Sequence, residues 1–434
     1  SGVRKAKPLT ENMLPTSQNA LVVGGGVTGM TSALELADQG TLTYLVHKAP
    51  VLGGQALNLS ATIEGDDVAA FVKNLVDKVS AHENIKVFTD TVVAEHAGVP
   101  GNFTTGIETG GGNACEQIDH GVTILATGAT ANRPAVYGLG ELDNVMTQID
   151  LDAVLENDES KIKAMEQVVM IQCAGSREAD NPNCSRICCQ AAVKNALRLL
   201  EVNPDIEVFV LYRDIRTYGF WEDYYKTARD KGVKFIRFDL ENRPVVREEA
   251  GKTIVRAHDF ILGQDIEIEA DCVALSTGFV ADADTNNKLC SLFNLPKTED
   301  GFFLEDHVKL KPVDMALHGF FLAGTAHSPK VIRESITQAH AVAGRARTML
   351  ANKEVTLGAA YATVDPVLCA VCLICVRACP YDVPFINNER HSEIDPAKCR
   401  GCGICAAECP AKAIQLRAWE DDQIMAKLDG LFER

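Results

Sequence analysis

The sequence lacks the features of a membrane-spanning, secreted or nucleic-acid-binding protein. No apolar run reaches the length of a membrane span, and the N-terminal residues Ser1–Lys5 contain no apolar stretch of the secretory kind. Basic residues are outnumbered, since 42 Lys and Arg oppose 59 Asp and Glu and leave a net charge of −17. This acidity disfavours nucleic acid and anionic membrane surfaces as partners. We therefore expect a cytoplasmic protein.

Two common chemical patterns are also missing. The sequence shows neither a Ser/His/Asp catalytic set nor a His-rich metal site. Cysteine is abundant instead, with fifteen in 434 residues. In a reducing compartment this number indicates metal binding or redox chemistry rather than structural disulfides. The length permits about three domains, and the hydrophobic content is sufficient for their cores.

Eight cysteines near the C-terminus form two copies of the run C-x2-C-x2-C-x3-C-P. In bacterial two-cluster ferredoxins, three thiolates of one run and the fourth thiolate of the other run hold each cubane. A zinc ribbon lacks the third and fourth cysteines of such a run. The spacing therefore predicts two [4Fe–4S] clusters, one on Cys369, Cys372, Cys375 and Cys409, and one on Cys399, Cys402, Cys405 and Cys379.

A dinucleotide-binding motif lies near the N-terminus. The apolar run 20–23 predicts a buried parallel strand, and the segment GGGVTG that follows opens an alanine- and leucine-rich helix that ends near Gln39. The glycines allow a tight turn and bring backbone N–H groups to a pyrophosphate at the helix N-terminus. The predicted cofactor contacts in this loop are Gly24, Gly26, Thr28 and Gly29.

Three further turns resemble flavoprotein motifs and favour FAD over NAD. The second strand ends at His47-Lys48, where the fold normally places an acidic residue on the ribose; His47 is either a ribose contact or a surface histidine. The three turns are LGGQ at 52–55, ATG at 126–128 and AGT at 323–325. The predicted contacts here are His47, Lys48, Gly53, Gly54, Gln55, Thr127, Gly128, Gly324 and Thr325.

A second α/β unit begins at Gln167, but its nucleotide loop is replaced. Strand patterns at 168–172 and 208–212 flank a helix at 191–200, and no G-x-G-x-x-G stands between them. Nicotinamide binding is therefore disfavoured. The loop contains Cys173, Cys184, Cys188 and Cys189, for which three interpretations stay open: a further cluster, a redox-active dithiol, or buried packing residues. Cys115, Cys272 and Cys290 match no motif and are interpreted as packing residues.

Lys330 is the candidate for tuning the flavin. It follows the last flavin turn in a Ser-Pro segment that opens a helix, and a cation near the ring would stabilise reduced flavin. The alternative is a solvated lysine at a helix start. Thr325 and Gln338 are predicted to support the ring. His327 is either a proton relay to the flavin or a local turn residue.

Several specific segments resemble the A-subunit of heterodisulfide reductase over nearly the whole chain. They are NCSRICC at 183–189, LYRDIRTYG at 211–219, AHSPK at 326–330 and ESITQA at 334–339. The likeness extends to the flavin subunits of the quinone-interacting membrane-bound oxidoreductase and to the electron-input subunit of benzoyl-CoA reductase complexes.

The resemblance implies an FAD-bearing iron–sulfur protein that passes electrons between partner subunits, in some members by bifurcation. It further implies a third [4Fe–4S] cluster on Cys173, Cys184, Cys188 and Cys189. The chain departs from larger relatives, which have an N-terminal cluster region, sometimes an inserted ferredoxin module, and commonly a glutamate at the position of His47. We therefore expect a short form or a fragment.

The predicted fold class is α/β, with two Rossmann-like domains of the disulfide-reductase type and a C-terminal α+β two-cluster ferredoxin domain. The predicted units are an FAD-binding part at 1–150, the second Rossmann-like domain at 151–310, a return to the FAD domain at 311–355, the ferredoxin domain at 356–418 and a helix at 419–434. The tail helix either docks on a partner or closes the core.

We expect an electron-transferring oxidoreductase subunit with FAD and three [4Fe–4S] clusters. Its partners are other redox subunits of a heterodisulfide-reductase-like or quinone-linked complex, through which it could reach the cytoplasmic face of a membrane. We also expect it to be oligomeric. One alternative is a self-contained NAD(P)H-dependent oxidoreductase resembling the small subunit of glutamate synthase. Another is a redox-silent scaffold.

Overall fold

The computed structural model describes residues 12–112, 115–357, 360–417 and 419–432. The polar segment Ser1–Lys5, the side chain of Cys115 and residue 418 at a predicted domain boundary lie outside this description. The described residues form two parallel five-stranded sheets, several small antiparallel sheets and a C-terminal α+β unit. The predicted fold class is therefore confirmed.

The first part of the chain builds most of the flavin-type unit. Its elements are β1 (Asn12–Pro15), β2 (Ala20–Val23), α1 (Val27–Asp38), β3 (Thr43–Val46), α2 (Val68–Ala81), β4 (Ile85–Phe88), β5 (Thr91–Val99), β6 (Asn102–Thr109), β7 (Cys115–His120), β8 (Val122–Leu125) and β9 (Thr130–Ala131). Strand β2 is wholly buried because β3 and β8 pair with it in parallel on either side. Strands β5, β6 and β7 form a separate antiparallel sheet.

The second unit is another parallel sheet. Its elements are β10 (Val145–Thr147), α3 (Gln148–Asn157), α4 (Glu159–Lys163), β11 (Gln167–Ile171), α5 (Cys188–Val202), β12 (Glu207–Tyr212), α6 (Glu222–Asp230), β13 (Lys234–Arg237), β14 (Val245–Glu249), β15 (Lys252–Asp259), β16 (Gln264–Ala270), β17 (Cys272–Leu275), β18 (Phe279–Val280) and α7 (Ala283–Phe293). The sheet order is β10-β17-β11-β12-β13. Thr147 begins α3 with a capping box, in which its side chain accepts from the Asp150 N–H and the Asp150 side chain accepts from the Thr147 N–H.

The chain changes units at other places than predicted. Strand β10 already belongs to the second sheet although it precedes residue 151. Helix α7 buries Leu289 and Phe293 in the core of the first unit, where Phe293 contacts Phe320. The return to the first unit therefore precedes residue 311, because the apolar face of α7 is buried there. The predicted boundaries at 150 and 310 are both too late in the chain.

The remaining residues complete the first sheet and form the C-terminal unit. Their elements are β19 (Phe320–Leu322), α8 (Ile332–Leu350), β20 (Glu354–Leu357), β21 (Ala362–Val364), α9 (Ile374–Ala378), β22 (Pro384–Ile386), β23 (Ser392–Ile394), α10 (Ile404–Ala407), β24 (Ile414–Leu416) and α11 (Asp421–Phe432). Strand β19 extends the first sheet beside β8. In the C-terminal unit β21 pairs with β24, and β22 pairs with β23.

Helix α11 turns most of its apolar residues outward. Only Gln423 and Ala426 of the helix are buried. Its exposed apolar residues are Ile424, Met425, Leu428, Leu431 and Phe432. The helix therefore does not close a core. No helix in the described ranges combines the length and the apolarity that crossing a membrane requires.

Candidate flavin and cluster sites

A cavity of about 940 Å³ opens between the two parallel sheets. Its walls begin where β2, β3, β8 and β19 end, because the carboxyl ends of parallel strands meet at one edge of the sheet. Twelve of the predicted flavin contacts line it: Gly24, Gly26, Thr28, His47, Lys48, Gly53, Gly54, Gln55, Thr127, Gly128, Thr325 and Lys330. Three others, Gly29, Gly324 and Gln338, do not.

The glycine loop has separate reasons for each glycine. Gly24 has φ +118°, and a Cβ there would lie 2.1 Å from the Ala126 carbonyl oxygen. A Cβ at Gly29 would lie 1.8 Å from the Gly24 carbonyl oxygen, so Gly29 serves close packing of helix on loop. A Cβ at Gly26 would meet no protein atom nearer than 4.0 Å. Gly26 therefore leaves space for a ligand rather than for the fold.

The loop also meets two requirements of a nucleotide ligand. Gly26 is the N-cap of α1 and has no side chain. No N-cap side chain therefore accepts hydrogen bonds from the first N–H groups of this twelve-residue helix. Among the described residues, the hydroxyl of Thr127 is buried in the cavity wall without a hydrogen-bond partner. A buried polar group of this kind requires a partner. The cavity therefore fits a bound dinucleotide such as FAD.

His47 closes the glycine loop. Its Nδ1 accepts a hydrogen bond from the Gly25 N–H at 3.0 Å, and its Nε2 lies 3.1 Å from the Val51 carbonyl oxygen. Nε2 is then the protonated nitrogen, and burial lowers the pKa of His47. A ribose contact would have to displace one of these bonds. The ring is buried, so the surface-histidine interpretation is wrong.

Lys48 is engaged at the other end of this wall. The ammonium of Lys48 is hydrogen-bonded to Asp282 and lies 3.3 Å from the Thr285 hydroxyl. Asp282 begins α7 as its N-cap by accepting from the Thr285 N–H. Lys48 is therefore engaged with the segment that returns the chain to the first unit.

Gln338 acts behind the cavity. Its Oε1 accepts from the Gly324 N–H at 2.9 Å, and its Nε2 lies 3.1 Å from His327 Nδ1. The other ring nitrogen of His327 lies 3.0 Å from Glu305 Oε2. Gln338 thus holds the loop instead of touching the cavity, and His327 bridges Gln338 to Glu305. Sequence inspection missed Glu305 because no motif marks it.

Lys330 is a buried cation on the cavity wall, with 8% exposure. Its ammonium donates to the carbonyls of Gly324 and Ser328, both at 2.7 Å. Burial lowers the pKa of Lys330 to about 8, and the Arg186 guanidinium adds to the decrease. The interpretation as a solvated lysine is therefore wrong. Tuning of the flavin by Lys330 stays a prediction.

The second unit contributes its cysteine loop to the same cavity. Cys188, at the first position of α5, lines the cavity together with Ile187, Gln190 and Lys194. Burial, followed by the nearby Cys189, Cys173 and Cys184, raises the pKa of the Cys188 thiol well above its ordinary value. The structure therefore brings the four predicted thiols together beside the flavin cavity.

Backbone and side-chain donors surround these thiols. The Arg186 N–H lies 3.4 Å from Cys184 Sγ, and Arg177 Nη1 lies 3.9 Å from Cys173 Sγ. Arg186 also pairs with Glu334 of α8 at 3.0 Å, and Glu334 accepts from the Tyr218 hydroxyl at 2.9 Å. The cysteine loop is therefore fastened to the helix that lines the flavin cavity.

The C-terminal unit forms two cysteine-lined cavities. One is lined by Cys369, Cys372, Cys375 and Cys409, and the other by Cys399, Cys402, Cys405 and Cys379. Burial, and then Cys399, Cys379 and Cys402, raises the pKa of the Cys405 thiol to about 11. The grouping in space is therefore the one that the spacing predicts, with the fourth cysteine exchanged between runs.

Each of the three cysteine groups offers four thiols. Four Cys thiolates are the usual ligand set of a [4Fe–4S] cluster. The donor type, four thiols per group, fits iron–sulfur clusters.

Two protein-family models match parts of the chain. Residues 18–171 match the pyridine nucleotide-disulphide oxidoreductase family, and residues 362–410 match the 4Fe-4S dicluster domain. The iron–sulfur A-subunit of the CoB–CoM heterodisulfide reductase of Methanocaldococcus jannaschii is 33% identical over 99% of this chain and 80% of its own length. That alignment spans 530 residues, so the relative has internal segments without a counterpart here.

Two further relatives differ in the reaction that their names describe. The A-subunit of the H(2)/formate:CoB-CoM heterodisulfide,ferredoxin reductase of Methanococcus maripaludis is 32% identical over 99% of this chain and 80% of its own. The A-subunit of the ferredoxin:CoB-CoM heterodisulfide reductase of Methanosarcina acetivorans is 30% identical over 99% and 69%. Among solved structures, T. acidophilum thioredoxin reductase matches with a TM-score of 0.53 and 16% identity, over 77% of this chain and 99% of that one. The last likeness concerns the fold alone.

Proposed function

The chain belongs to the heterodisulfide reductase A-subunit family of flavin and iron–sulfur oxidoreductases, and we propose that it relays electrons between FAD, three [4Fe–4S] clusters and partner redox subunits. FAD exchanges electrons singly or in pairs and the clusters exchange them singly. The proposed flavin-binding residues are those that line the large cavity. The proposed cluster ligands are the three groups of four cysteines.

One observation carries this proposal. Cys188 lines the flavin cavity, and Cys189, Cys173 and Cys184 lie near enough to influence its thiol. Thiols with raised pKa values bind metal only after losing protons, and metal binding supplies the compensating charge. A cluster on this group would therefore lie next to the flavin, at the position where related folds bind a nicotinamide cofactor.

The surroundings of the cavity suit electron exchange without an organic substrate. Lys330 places a buried cation at its wall, and Glu305 and His327 lie behind the Gly324 loop. A fixed cation favours the more negative, reduced state of a neighbouring group. Reducing partners are proposed to be other subunits of a heterodisulfide-reductase-like or quinone-linked complex. We propose a cytoplasmic location for that complex.

Anaerobic iron and flavin quantification tests the proposal. We expect about twelve irons and one FAD per chain. Cys188→Ser should reduce the iron to about eight and leave the ferredoxin-type clusters intact. Cys272→Ala is the matched control, because Cys272 is fully buried in β17 and belongs to no thiol group; it should retain all the iron.

The same preparation separates the alternatives. NAD(P)H alone should not bleach the flavin, and rapid bleaching would favour the enzyme that resembles the small subunit of glutamate synthase. Full iron without any reduction by a low-potential donor would favour the redox-silent scaffold. Bifurcation is tested by supplying one high-potential and one low-potential acceptor and measuring whether both are reduced in equal amounts.

A further inference from the structure

We propose that Arg400 makes the cluster on Cys399, Cys402, Cys405 and Cys379 the more oxidising of the two clusters in the C-terminal unit. The inference rests on the proposed function, because it requires that both cysteine groups hold clusters. The two runs are related by a sequence repeat, and Arg400 occupies the position of Ala370 directly after the first cysteine. The repeat therefore supplies an internal comparison.

The two cysteine cavities differ in charge. Arg400 lines the cavity of the Cys399 group and is the one charged residue among the described residues that line it. The cavity of the Cys369 group has only uncharged residues in its described lining, including Ala370 at the matching position. One cluster would therefore have a cation beside it that the other lacks.

The positive charge of Arg400 is not neutralised locally. Within the described ranges, no carboxylate forms an ion pair with Arg400. The groups that influence it from outside the loop are Tyr381 and Asp306. Asp306 is already paired with Lys311 at 2.6 Å. A guanidinium remains charged in proteins, and its partial burial reduces screening by water.

Other determinants of potential are balanced between the groups. Cys375 and Cys405 are each 7% exposed. Cys399 Sγ accepts from two backbone N–H groups, at 3.4 and 3.5 Å. In the other group Cys369 Sγ accepts from the Ser392 N–H at 3.4 Å, and Cys375 Sγ lies 3.3 Å from the Ser392 hydroxyl. Since burial and hydrogen bonding are similar, charge is the main difference.

The sign follows from electrostatics. Reduction adds one negative charge to a cluster, and a nearby cation stabilises the reduced form more than the oxidised form. The cluster beside Arg400 therefore has the higher midpoint potential. An electron in the C-terminal unit would reside mainly on this cluster.

Redox titration of the full chain, reconstituted anaerobically with iron and sulfide and followed by EPR, tests the inference. Arg400→Ala should make reduction of the cluster with the higher midpoint potential about tenfold less favourable. For one electron this lowers that potential by about 59 mV. Ala370→Arg should raise the lower potential by a similar amount. Arg400→Lys keeps the charge and should preserve most of the wild-type separation.

The outcomes are distinguishable. Unchanged potentials in Arg400→Ala at full iron content would overturn the role of Arg400 alone, as would a shift of only the lower potential. A wild-type chain that fails to bind about eight irons in the C-terminal unit would instead overturn the proposed function. If Arg400→Ala does not assemble its clusters, Ala370→Arg and Arg400→Lys decide the question, because both retain the cation.

Discussion

Asp152 joins the two Rossmann-like units through a buried network of charges. Its replacement by asparagine should show how much this network contributes to the free energy of unfolding. Its carboxylate is 2% exposed and lies 2.7 Å from the ammonium of Lys194. It also accepts from the Ser60 N–H and hydroxyl, both at 2.9 Å. Ser60 follows the turn that lines the flavin cavity, whereas Asp152 and Lys194 belong to the second unit.

The expected loss of stability follows from the buried charge that remains after the substitution. Lys194 is 9% exposed, and burial lowers its pKa in spite of the attraction of Asp152. A buried ion pair of this kind contributes little net stability, because the cost of desolvating both charges offsets their attraction. Removing only the carboxylate leaves a buried cation without a counter-charge. Asp152→Asn should therefore reduce the free energy of unfolding by about 3–5 kcal/mol.

Urea unfolding of the apoprotein, followed by circular dichroism and tryptophan fluorescence, measures this loss. Glu156→Gln is the control, because Glu156 pairs with Arg198 at the surface with 56% exposure and should cost less than about 1 kcal/mol. The double variant Asp152→Leu with Lys194→Met should recover most of the loss. An Asp152→Asn midpoint equal to that of Glu156→Gln would refute the reasoning.

Three other predictions concern the glycine loop and Lys330. Gly26→Ala should weaken FAD binding at least about tenfold in a fluorescence titration, because the added Cβ enters the cavity. It should change the free energy of unfolding by less than about 1 kcal/mol. An FAD affinity equal to that of the wild type would contradict this prediction. Gly29→Ala should instead destabilise the apoprotein by more than about 2 kcal/mol in thermal unfolding, because its Cβ would meet a carbonyl oxygen at 1.8 Å. The folded-state pKa of Lys330 is lowered from 10.5 to about 8. Between these two pH values the Lys330 side chain is protonated in the unfolded chain and largely deprotonated in the folded one. The free energy of unfolding of the wild-type apoprotein, relative to that of Lys330→Met, should therefore rise with pH across this window by roughly 3 kcal/mol. Parallel pH profiles of the two proteins would contradict this prediction.

The sequence predicted the parts of this molecule that one local segment determines. The cysteine runs and the glycine loop are short, and their spacing alone limits how the backbone can surround a ligand. Gly24, Gly26 and the cysteines of the C-terminal unit are therefore found where their motifs indicate. The boundaries failed at β10 and α7 because burial of an apolar face against another unit, rather than local pattern, decides where such elements belong.

Residues whose partners depend on the folded arrangement were beyond local patterns. The spacing suggested His47 for the ribose, yet the nearby backbone of Gly25 and Val51 engages both ring nitrogens. Gln338 lies in a recognisable segment, but its bond to the Gly324 N–H is known only once α8 is placed on the sheet. Lys194 has no motif at all. Tertiary docking brings it to the cavity.

The contacts between the units explain why the second unit has a cysteine loop in the place of a nucleotide-binding loop. Arg186 of the cysteine loop pairs with Glu334 of α8, Lys194 donates to the Ala61 carbonyl, and Asp152 accepts from the Ser60 N–H and hydroxyl. Lys194 and Ala61 line the cavity itself. Electron exchange between a flavin and a thiol-bound cluster needs a constant separation, whereas binding and releasing a mobile nicotinamide needs an open cleft. A cavity whose walls are joined by several contacts therefore favours electron exchange between a flavin and a cluster.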